Sequence, residues 1–74
     1  MSAVKLCSEL DAVVFRIVVA EGDRVAAGET LLLLESMKME IPVAAPAAGR
    51  VAAILVHEAD LVGEGDTLML FVSD

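Results

Sequence analysis

Residues 14–33, VFRIVVAEGDRVAAGETLLL, and residues 51–70, VAAILVHEADLVGEGDTLML, are one phrase written twice, 37 positions apart. Val14, Ile17, Val19, Glu21, Asp23, Val25, Gly28, Thr30, Leu31 and Leu33 meet identical partners, which makes 10 of the 20 aligned positions the same residue. Chance does not explain that much identity. A repeat marks one structural unit used again. With two copies, the expectation is two similar halves closed on each other, rather than an open array.

Each copy has the same grammar. An apolar stretch (residues 14–19 or 51–56) runs into a polar turn, Glu21-Gly22-Asp23 or Glu58-Ala59-Asp60. A short connection leads to Gly28 or Gly65, then to an acid, a threonine and a second apolar run. Short runs rich in Val and Ile, bounded by Gly and Asp, read as strands joined by tight turns. Turn signals at this spacing predict an all-β sandwich or barrel.

Residues 29–41, ETLLLLESMKMEI, resist that reading, because they are mostly good helix formers and Pro42 would stop a helix. The repeat decides against the helix. The counterpart at 66–72 carries β-branched residues and leaves no room for one. Residues 30–35 are therefore expected to form a strand and residues 40–43 the returning strand, with Met37 and Lys38 at the tip of a hairpin.

At 74 residues the chain is one small domain, and such domains are only marginally stable. Cys7 is the one cysteine, so neither an internal disulfide nor a cysteine-rich zinc site is available. Stability must come from packing, and Val, Leu, Ala, Ile and Met supply a 58% hydrophobic chain. The net charge of −7 argues against nucleic acid and against an anionic membrane surface. No apolar run approaches the length of a membrane span, and no signal peptide is visible, so a soluble cytoplasmic protein is expected.

The tip is chemically odd. Tight hairpins favour Asn-Gly and similar pairs, because both central residues need positive φ. Met-Lys gives no such relief, and an exposed turn is a poor place for two methionines. Where local chemistry contradicts local structure, another requirement is at work. An exposed lysine is an amine on a flexible stem, and acylation converts it to an uncharged amide. A separate enzyme would have to activate the acid, and flanking thioether side chains would adapt to that enzyme's surface. Composition and spacing also admit a plainer reading, a solvated lysine beside methionines that belong to the core.

The residues Glu35-Ser36-Met37-Lys38-Met39 resemble the biotinyl/lipoyl attachment family, whose biotinyl members carry Met-Lys-Met at a hairpin tip after Glu-Ala or Glu-Ser. Residues 45–51, Ala-Pro-Ala-Ala-Gly-Arg-Val, are similar to its Ala-Pro-x-x-Gly-x-Val segment, and the paired Gly-Asp blocks to its quasi-twofold repeat. The resemblance spans residues 8–72, with residues 1–7 read as an N-terminal segment. It implies a flattened β-barrel or sandwich of two four-stranded sheets, with the chain ends at one end and the modified lysine at the other.

In function the resemblance implies a carrier without catalytic residues of its own. Biotin would be joined covalently to Lys38 by a biotin protein ligase, with Met37 and Met39 as recognition residues and Glu35, Ser36 and Glu40 as further ligase contacts. The partners implied are biotin carboxylase and carboxyltransferase subunits, between which biotin carries a carboxyl group. A monomer is expected in isolation, because the tip must stay free.

The chain departs from the family where Glu9 and Ala12 stand at positions often held by Pro and Gly, so the first turn is expected to differ. Residues 13–21 leave no space for the thumb loop of the bacterial acetyl-CoA carboxylase carrier, which argues against that exact role. Without carboxylase, transferase or Ala/Pro-rich linker regions, the expectation is a free-standing biotinylated protein or a small carrier subunit. Lipoyl members place Asp before the lysine and a small residue after it, which Met37 and Met39 do not match. An unmodified interaction module of the same fold is the other alternative. His57 and Cys7 read as ordinary residues without catalytic partners, Asp23, Asp60, Gly28 and Gly65 as turn residues, and Pro42 as a mark of a short or edge strand.

Overall fold

The structure is a computed structural model and describes residues 2–74. Eight strands follow in chain order: β1 (Ser2–Cys7), β2 (Ala12–Ile17), β3 (Arg24–Val25), β4 (Thr30–Ser36), β5 (Met39–Ala44), β6 (Gly49–Ile54), β7 (Leu61–Val62) and β8 (Thr67–Ser73). They form two antiparallel four-stranded sheets, ordered β1-β8-β6-β3 and β5-β4-β2-β7. Every strand from β5 onward starts and ends 37 residues after its counterpart in the first half. The two sheets are thus related by a pseudo-twofold operation, and each takes two strands from either half.

The helix-like run 29–41 is a strand hairpin, and the register explains its misleading appearance. Thr30 pairs with Ala44 but Leu32 with Val43, a shift that leaves Leu31 unpaired with β5 and sends both Leu31 and Leu32 into the core. The second half repeats the irregularity: Thr67 pairs with Cys7 and Met69 with Leu6, and both Leu68 and Met69 are buried. Two successive inward side chains break the alternation that marks a strand. Strand β4 is one residue longer than expected and β5 begins at Met39. Pro42 lies on β5, an edge strand, where a missing N–H costs no ladder bond. Residues 2–7, ahead of the repeat, are strand β1 and pair along β8 from Ser2–Ser73 to Cys7–Thr67.

The core lies between the sheets. Val14, Leu31, Leu32 and Leu34 from one half meet Val51, Leu68, Met69 and Phe71 from the other, all essentially inaccessible to solvent. Backbone ties then cross between the halves in reciprocal pairs. Gly22 N–H donates to Val51 O and Ala59 N–H to Val14 O, both at 2.7 Å. Gly28 N–H donates to Ala45 O and Gly65 N–H to Ser8 O, both at 2.8 Å.

Candidate modification site

The two-residue connection between β4 and β5 consists of Met37 and Lys38, closed by the Ser36–Met39 pair. Met37 has φ 52° and Lys38 φ 66°. Two successive left-handed residues match the right-handed twist of the flanking strands, the geometry of a type I′ turn. Asn-Gly reaches it at little cost, whereas side chains without local hydrogen bonds pay about 1–2 kcal/mol per residue. The sequence gives the turn its place, and the backbone shows that the turn holds Met-Lys against conformational preference.

The side chains have no structural use for the arrangement. Met37 is 92% exposed and Met39 64% exposed. Lys38 is exposed, and no hydrogen bond or ion pair from the described residues reaches its amine. Glu35 and Glu40, both exposed, are direct cross-strand partners just behind the tip. Like charges placed opposite each other destabilise a ladder, yet neither carboxylate turns to Lys38. Ser36 is half-buried beside them. The six residues singled out in the sequence therefore come together as a protruding, apolar and acidic knob around one free amine.

The same pseudo-twofold operation carries the Ser36–Met39 pair onto Ser73–Ser2. Tip and chain ends are symmetry mates, at opposite ends of a body measuring 35 × 18 × 17 Å. The sheet register adds a neighbour to the tip that the sequence pattern does not reveal. The row Glu40–Glu35 continues across β2 and β7 through Val13 to Leu61, which is 83% exposed. The corresponding row in the other sheet ends on Arg50 and Arg24 instead, and Arg24 is paired with Asp74 at 2.8 Å.

The remaining residues fall where the sequence puts them. His57 is exposed, with its ring nitrogen 3.8 Å from Asp60. Cys7 is exposed and unbridged. Asp23 and Asp60 close their turns by accepting from Ala20 N–H at 2.9 Å and His57 N–H at 2.8 Å. Residues 18–23 pass from β2 to β3 through a tight turn and hold no thumb. No group of three or more metal-ligating side chains occurs among the described residues, and no helix is long and apolar enough to cross a membrane.

Symmetric sheets that hold up one amine on a strained turn define a class of small carrier modules, in which the protein supplies position and an attached group supplies chemistry. The family described as "Biotin-requiring enzyme" matches residues 5–71, and the chain belongs to this biotin/lipoyl family. It is 48% identical over 61 residues to a "Biotinylated protein TB7.3 homolog" of Mycobacterium leprae, a match covering 82% of this chain and 86% of that one. Among solved structures it superposes on a single-chain, multi-domain long-chain acyl-CoA carboxylase with TM-score 0.92 and 36% identity, covering 97% of this chain but only 7% of the carboxylase. The lipoyl domain of the 2-oxoglutarate dehydrogenase complex from Azotobacter vinelandii superposes less well, with TM-score 0.76 and 28% identity over 85% of this chain and 80% of that domain.

Proposed function

We propose that the protein is a biotin carrier, biotinylated on Lys38 by a biotin protein ligase, which then presents biotin to the biotin carboxylase and carboxyltransferase subunits of a carboxylase. The observation that carries this reading is the free Lys38 amine on a type I′ turn flanked by two exposed methionines. When attached, biotin supplies reversible carboxyl transfer. The chain itself offers Lys38 Nζ for an amide bond and keeps the tip clear of its own body. Neither Glu35 nor Glu40 is hydrogen-bonded to Lys38, so removal of a proton from the amine falls to the ligase. Likeness to biotinylated relatives supports biotin over lipoate, as do Met37 and Met39 on either side of the lysine. Likeness to bacterial biotinylated proteins supports the cytoplasm as its compartment.

The test is the intact mass of the protein from its own host, followed by peptide mapping. Only Lys5 and Lys38 can carry the group, so one biotinyl increment localises unambiguously. The Lys38→Ala variant is expected to lose the increment. Streptavidin binding by that variant after expression with a ligase would refute the assignment, and a lipoyl increment would change the pathway while leaving the fold.

A further inference from the structure

The two copies of the repeat are not faithful to each other, and a cleft lies beside the positions where they differ. Leu34 stands where the second copy has Phe71, Leu10 where it has Ala47, and Glu9 where it has Pro46. The Phe71 ring reaches over to β6, within 2.9 Å of where a Cβ on Gly49 would lie. In the first copy a smaller leucine takes that position. A cleft of about 280 Å³ lies between the turn at residues 8–11 and strand β5, lined by Glu9, Leu10, Leu34, Ile41, Pro42 and Lys5 among others.

We propose that this cleft receives the biotin ring carried on Lys38, giving the loaded arm a docked state on its own domain. The inference rests on the biotin carrier reading and extends it. Reach permits it. Ile41 lies three residues from Lys38 along β5, about 10 Å at the rise of an extended strand. A lysine stem with a biotin chain spans about a dozen ångströms on ordinary bond lengths. Size permits it as well, since the cleft falls just below the range for sites of drug-sized ligands, about 300–1,000 Å³, and only the ring of biotin has to enter it.

The lining fits the chemistry of the group. Biotin's fused rings are an apolar thioether edge joined to a ureido edge with two N–H donors and one carbonyl acceptor. Leu10, Leu34, Ile41 and Pro42 offer an apolar wall. Glu9 offers a carboxylate for a ureido N–H, and Lys5 an ammonium for the carbonyl. Neither the Glu9 nor the Lys5 side chain has a hydrogen bond or ion pair among the described residues. Mostly apolar walls with a few convergent polar groups are the common form of a small-ligand site.

Cys7 also lines the cleft and is exposed, so it serves as a built-in probe. The experiment begins with protein expressed with a ligase and shown by mass to carry biotin on Lys38. The rate of Cys7 modification by a maleimide is compared between biotinylated and unmodified protein, together with isotope-filtered NOEs from biotin ring protons to the Leu10 and Ile41 methyls. Docking predicts severalfold slower Cys7 modification in the biotinylated form, and NOEs to both methyls. Leu34→Phe, which copies the other half and fills the cleft, is expected to abolish both differences while Lys38 stays biotinylated. Should that variant not fold, Glu9→Ala at the exposed rim is expected to weaken the NOEs and restore part of the Cys7 rate. Full biotinylation with equal Cys7 rates and no NOEs beyond residues 37–39 would overturn the docked state and leave the carrier reading intact. A missing biotinyl mass would overturn both.

Discussion

Met37 and Lys38 occupy left-handed backbone conformations that neither side chain favours, so the tip is a place where stability is given up. The double substitution Met37→Asn with Lys38→Gly installs the pair that type I′ turns prefer. It is expected to raise the free energy of unfolding by about 1–2 kcal/mol, read from urea denaturation followed by circular dichroism. Biotin incorporation should vanish in the same variant, because the amine is gone. Equal or lower stability would show that the turn is not strained in solution. The repeat contains a control at a site with no functional demand. Ala59 has φ 78° where its counterpart Gly22 has φ 92°. Ala59→Gly should stabilise by about 0.5 kcal/mol and Gly22→Ala destabilise by about 1 kcal/mol, so the two substitutions should shift the urea midpoint in opposite directions. Lys38 and its flanking methionines could be found in the sequence because they violate turn chemistry. The sign of φ at both residues could not, since it follows from the twist of β4 and β5 once they are paired.

Strand pairing across the pseudo-twofold axis explains which repeat identities are structural. Glu21 accepts from Ile54 N–H at 2.8 Å and Glu58 from Ile17 N–H at 3.0 Å, each carboxylate satisfying a backbone donor of the opposite half. Glu21→Ala and Glu58→Ala should each cost about 1 kcal/mol in thermal or urea unfolding. Where the copies differ, packing supplies the reason. A Cβ on Gly49 would lie 2.2 Å from Val72 O, so Gly49→Ala must displace backbone and should be among the most destabilising substitutions in the chain. Ala12 stands at the equivalent place and is buried, in the copy that has Leu34 where the other has Phe71. The departure at Ala12 was legible as a difference between copies. How the strands accommodate it was not, because that follows only from the pairing of β2 with β4 and β7. The run 30–36 misleads for a related reason. Paired inward leucines at a register shift look like one face of a helix until the second copy is set beside them.

At the scale of the whole molecule, sequence halves and structural layers do not coincide. One sheet draws β1 and β3 from the first half and β8 and β6 from the second, and the other sheet draws β4 and β2 from the first half and β5 and β7 from the second. Neither half can form a sheet of four strands alone, and each leaves its core residues without a facing layer. The two copies are therefore not two small domains but one cooperative unit closed by exchange. Peptides 1–37 and 38–74, cut within the hairpin tip, should each be unfolded in water by circular dichroism and amide exchange, because two or three isolated strands without an opposing apolar face are marginal at best. Mixed in equal amounts they should regain strand signal with a concentration-dependent midpoint, since the cut removes only one turn that the fold already holds at a cost. A folded isolated half would show that the interface between the halves is dispensable, and would break the link between repeat and architecture. Recovery of the complex, by contrast, would show that the tip contributes little to the stability of the fold.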